Sequence, residues 1–89
     1  MGEGTVAAAI EPALLADLRQ AFGAEVARRL PHLRAVQDLE EARRDAHTIA
    51  SGAWVIGEPE IARLARAVES KLPGGPVAEL VTALEGYVV

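Results

Sequence analysis

No cysteine occurs in the 89 residues, which excludes disulfide staples, zinc knuckles and thiol catalysis and fits a cytoplasmic location. Aromatic residues are scarce: one Phe, one Trp and one Tyr leave the core to Ala, Leu and Val. No apolar run approaches the ~20 residues needed to cross a bilayer, and the opening residues do not read as a signal sequence. Basic charge is also short. Nine Lys and Arg stand against thirteen Asp and Glu, a net charge of −4, and the arginines are interleaved with acids. Nucleic-acid binding, which depends on neutralising phosphates, is therefore not expected, although a local patch for one phosphate stays open. No segment sustains two-residue alternation, so nothing is available to build a sheet.

What is present is helical periodicity in a chain that is 51% apolar. A domain of this length buries only roughly 60–65% of its unfolded surface, so the core must be efficient. Residues 1–9 are expected to form a flexible leader, and residues 10–89 a single helical domain. Leu14, Leu15, Leu18, Phe22, Val26, Leu30 and Leu33 recur at three- and four-residue intervals. Gly23 and Pro31 interrupt this stretch, predicting a short helix to Phe22 and a second to about Val36. Asp38 is a suitable N-cap for the next helix, with Glu40 and Glu41 in its first turn. Leu39, Ala42, Ala46, Ile49, Ala53 and Ile56 form a narrow seam that Gly57 ends. Glu58-Pro59-Glu60 opens a helix burying Ile61, Leu64, Ala65, Val68 and Leu72. Pro73-Gly74-Gly75-Pro76 is a turn, and a last helix carries Val77, Leu80, Val81, Leu84 and Val88. The expectation is all-α: an antiparallel up-down four-helix bundle with a short extra N-terminal helix.

Two histidines bear on chemistry. His32, beside Pro31, reads as a surface or edge residue near a kink. His47 lies roughly 130° from the Ala-rich seam at about 100° per residue, so it is expected to face water mid-helix. Glu40, Arg43, Ala50, Ser51 and Trp54 fall on the same side, with Arg43 four residues before the histidine and Ser51 four after. An exposed neutral imidazole is a nucleophile at physiological pH, and a guanidinium and hydroxyl beside it suit a phosphoryl group. Spacing alone favours an ordinary solvated histidine over this chemistry. Zinc ligation lacks a His-x-x-x-His pair, and Asp38, Glu40 and Asp45 read as helix-start and surface charges. Trp54 is either a partial lid against a neighbouring helix or an exposed contact aromatic.

The stretch from Asp38 to Glu69 resembles a histidine phosphotransfer (HPt) domain, as found in multistep phosphorelays and at the start of chemotaxis-type histidine kinases. The resemblance rests on Asp38 before the helix, Arg43-Arg44, Ala46-His47-Thr48-Ile49, the small residues Ser51, Gly52 and Ala53, Gly57, and the helix from Ile61 to Glu69. It implies that His47 carries a phosphoryl group between receiver-domain aspartates, or from a histidine kinase to a response regulator. It further implies a monomeric cytoplasmic domain with no cofactor, ATP site or metal of its own, acting on neither nucleic acid nor membrane. The family pattern commonly has Lys three residues after the histidine and Gly four after. Here Ala50 and Ser51 occupy those places, and the glycine is Gly52. Arg43, Ala50, Ser51 and Trp54 are thus the expected phosphoryl-contact or docking positions, with Arg43 standing in for the absent ammonium. The departures leave a second reading open, a bundle of the same ancestry that binds a partner without being phosphorylated. A structural oligomer joined through the Ala-rich seam is a third.

Overall fold

The computed structural model describes residues 9–88. Four helices follow one another: α1 (Pro12–Arg34), α2 (Leu39–Val55), α3 (Pro59–Lys71) and α4 (Val77–Tyr87). Each packs on its sequence neighbour and α1 also meets α4, closing the expected up-down four-helix bundle. No described helix is long and apolar enough to cross a membrane. The leader expected over 1–9 lies, apart from Ala9, outside the described residues.

The break expected in the first helix is absent. α1 runs unbroken through Gly23 and Pro31, so the short extra helix does not exist as a separate element. Pro31 sits in the last turn, where it forfeits a single intrahelical bond, and its own carbonyl still accepts from the Ala35 N–H at 3.3 Å. Phe22, Val26, Leu30 and Leu33 are all buried, and their spacing is met only if helical register continues past the proline. At the other end Leu14 is exposed, and Leu15 and Leu18 are only partly covered. The first turns of α1 therefore outrun their packing partners.

Both ends of α2 are fixed by its own residues. The Asp38 carboxylate accepts from the backbone N–H groups of Glu40 (2.9 Å) and Glu41 (3.2 Å). At the far end the Glu58 N–H donates to the Ala53 carbonyl and the Gly57 N–H to that of Trp54. This is a Schellman closure, and it needs the left-handed φ of +80° that Gly57 supplies. The predicted seam is buried at Ala42, Ala46, Ile49, Ala53 and Ile56, but Leu39 is 43% exposed. As the first residue of α2 it has no preceding turn to hold it against a neighbour.

Asp45, expected at the surface, is buried to 3%. On the helical wheel it borders Ile49 and Ala42 on the side of α2 that meets α1. Its carboxylate accepts from Arg29 Nη1 at 2.6 Å and lies 2.8 Å from Nδ1 of His32. Arg29 in turn donates from Nε to Glu25 at 2.7 Å. His32 does sit at an edge, as expected, but serves as a tether between α1 and α2, with Glu41 3.7 Å from its Nε2. The Arg29 hydrogen bond is the main cause holding the Glu25 carboxyl below its ordinary value.

Gly52 faces Phe22. A Cβ there would lie 2.8 Å from Phe22 Cδ1 and 3.0 Å from Cε1. The ring cannot swing freely because it is buried edge-on against Tyr87, with centroids 5.2 Å apart. Gly52→Ala should therefore lower stability by about 1 kcal/mol in chemical denaturation, the overpacking outweighing the gain in helix propensity. Gly86→Ala, which meets nothing within 4 Å, should not destabilise. Arg29→Ala should cost about 2–3 kcal/mol by leaving the buried Asp45 carboxylate with His32 alone. It should also flatten the acid limb of the stability profile. A lowered folded value means that the Glu25 contribution is complete above the ordinary carboxylate range and is lost as pH falls through that lower value, and the variant lacks the cause.

Candidate functional site

α2 is clamped to α1 through Asp45, and two residues on in a helix is a turn of about 200°. His47 is thereby directed away from α1, at the margin where α2 meets α3. Its side chain is 67% exposed, as expected from the sequence. Nδ1 lies 2.9 Å from Glu69 Oε2, a contact that joins the middle of α2 to the end of α3. An ionised carboxylate only accepts, so in the neutral ring Nδ1 carries the proton and Nε2 keeps the free lone pair. The arrangement selects the tautomer and holds the ring plane while most of the side chain stays in solvent.

The imidazole borders a shallow hollow of about 340 Å³ lined by Glu40, Arg43, Arg44, His47, Thr48 and Glu69. Arg43 is on the expected side but is engaged: Nη1 donates to Glu40 at 2.7 Å and Nε to the Glu69 carbonyl at 3.4 Å. Arg44, three residues before His47, has no carboxylate partner among the described residues. Ser51 and Trp54 are exposed on the histidine side. Trp54 combines the two expected roles: it meets the neighbouring helix α3, with the Arg66 guanidinium carbon 5.6 Å from its ring centroid, and it is still 42% exposed. Ala50 departs from expectation. It is 3% exposed and belongs to the core, because on the wheel it lies between the histidine row and the seam, and a methyl group is too short to emerge. It offers a partner no surface.

The chain matches the Hpt domain family model over residues 11–87. It belongs to the Hpt domain family. No curated protein and no solved structure matches it. Hpt domains serve histidine phosphotransfer in phosphorelays, where they interact with receiver domains and kinases. Within this Hpt domain the second hollow, about 280 Å³ between α1 and α2, has an apolar lining with Glu25 as its one charged group, and it holds neither histidine. Among the described residues no group of three or more His, Asp or Glu is arranged to hold a metal ion.

Sequence reasoning found His47 and its row but gave Glu69 and Arg44 no role. Glu69 was reachable in principle. Counting outward from the Gly57 turn along two antiparallel helices brings position 67 level with position 47, so Glu69 lies within one turn of it. Replacing Glu69 by Ala should release the ring. 15N NMR of the neutral imidazole should then show a mixture of tautomers, where the native domain shows predominantly the Nδ1–H form.

Proposed function

We propose that this Hpt domain carries a phosphoryl group on Nε2 of His47 between receiver-domain aspartates, or from a histidine kinase to a response regulator, in a cytoplasmic phosphorelay. The observation that supports this most directly is a largely exposed imidazole whose Nδ1 is held by Glu69, which leaves Nε2 as the nitrogen with the lone pair. The Nε2 lone pair attacks the phosphorus of an acyl phosphate. The N–P bond forms as the P–O bond to the donor carboxylate breaks, and the electron pair returns to that carboxylate. The ring gains positive charge, which the Glu69 carboxylate offsets while the proton stays on Nδ1. Return of the group to a second aspartate reverses these steps. Catalysis of this transfer is largely positioning and charge compensation, and the reading assigns the acidic pocket and its divalent cation to the receiver. Arg44, which has no carboxylate partner among the described residues, is better placed than the engaged Arg43 to meet the phosphoryl oxygens.

A second reading keeps the bundle as a binding module without phosphorylation. It is favoured by one observation, the buried methyl of Ala50 where the family pattern has a lysine. The two separate on incubation with phosphoramidate and then with a panel of purified receiver domains. The expected outcome is one acid-labile phosphate per chain by mass spectrometry, absent in His47→Gln and discharged to a receiver. A receiver that binds while His47 stays unmodified would instead establish the second reading.

A further inference from the structure

Charge around His47 does not balance once the ring carries a phosphoryl group. That group brings about two negative charges to a surface already holding the Glu69 carboxylate 2.9 Å from Nδ1. Arg43 is offset by Glu40, leaving Arg44 as the near cation on α2. The following turn of α2 adds none, because Ala50 is buried there.

α3 holds the missing charge. Arg66 lies three residues before Glu69 on the same face, about 4.5 Å along the helix. Its guanidinium rests over Trp54, which stands seven residues, two turns, beyond His47 on α2. The Trp54–Arg66 stack thus lies on the same α2–α3 margin as His47–Glu69, two turns further along α2 but less than one turn back along α3. Arg66 has no carboxylate partner among the described residues. A guanidinium over an exposed indole is held weakly, whereas phosphoryl oxygens accept forked, charge-assisted hydrogen bonds from it.

We propose that Arg66 is the second phosphoryl-facing cation of this domain, resting on Trp54 while His47 is bare and drawn off the ring to the phosphoryl oxygens when Nε2 is modified. The inference rests on the reading of His47 as acceptor and adds a consequence. Phosphorylation uncovers the indole, so a partner meets a different aromatic surface on the loaded and empty forms.

Trp54 is the single tryptophan of the chain, and its emission reports the stack directly. Phosphoramidate supplies the group without any partner protein: its P–N bond breaks with the electron pair leaving on ammonia as the Nε2–P bond forms. Modification should change Trp54 emission in the native domain. It should leave emission unchanged in Arg66→Gln that mass spectrometry shows to be equally phosphorylated. By 31P NMR the phosphoryl group of Arg66→Gln should bind its last proton about two- to fivefold more tightly, the range expected for losing one exposed charge partner. Arg66→Lys should restore most of that difference, which a purely structural role would not produce. Phosphorylated His47 with unchanged emission and identical 31P titrations in native and Arg66→Gln domains would overturn this inference and leave the acceptor reading standing. Failure of His47 to take phosphate would overturn both.

Discussion

The site depends on how closely α2 and α3 approach. Ala46, Ala50 and Ala53 on α2, and Ala62 and Ala65 on α3, are all 3% exposed or less. Interaxial distance follows the size of the side chains at the contact, and a glutamate reaches only a few ångströms from its backbone. Bulkier residues along this seam would keep both helices intact yet carry Glu69 out of range of Nδ1. The alanines therefore act on His47 at one remove, by setting the separation at which a carboxylate on one helix can orient an imidazole on the other.

Rotation of α2 about its own axis is the second constraint, and α1 supplies it. A buried carboxylate tolerates few positions, and Asp45 is held in one by Arg29 and His32 together. Because Asp45 and His47 lie on opposite sides of the same helix, fixing the first aims the second. The two histidines thus have complementary roles. His32 gives its Nδ1 to structure on the α1 side, and His47 presents Nε2 to solvent on the α3 side. A chain with a net charge of −4 has little long-range attraction for an acidic partner. Arg44 and Arg66, which have no carboxylate partner among the described residues, place positive charge on the side of the bundle that His47 faces.

Most of the fold was legible because it is written in local spacing. The cap at Asp38, the stop at Gly57, the turn at Pro73–Pro76 and the core faces of α3 and α4 all depend on residues within a few positions of one another. The errors arose where tertiary contacts outweighed local preference. Pro31 did not break α1, because Leu30 and Leu33 are anchored in the core on either side of it. Leu14 and Leu39 fit the apolar pattern but lie where no neighbouring helix covers them. Asp45 read as solvated since its partners come from α1, and a wheel for one helix does not say which of its flanks another helix will cover. The contacts of Glu69 with His47 and of Arg66 with Trp54 were missed for a related reason: they are a matter of register between α2 and α3, and no single-helix pattern contains it.

Gly52 shows how a similar sequence can carry a different physical meaning. In the family pattern a glycine four residues after the histidine keeps the surface beside the ring bare. Here the glycine comes one residue later, and in a helix that step turns it by about 100°, away from His47 and toward α1. Its missing Cβ makes room for the Phe22 ring, so it serves the packing of α1 on α2 rather than access to the imidazole. The surface position passes to Ser51, whose hydroxyl stands on the histidine side of the helix. The cation that the pattern places on α2 is likewise absent there, since Ala50 has joined the core. The cations that remain near this face are Arg44, one turn before the histidine, and Arg66 on α3 across the seam. A site assembled from two helices in this way is more sensitive to their separation than one built on a single helix, which returns the chemistry to the alanines between them.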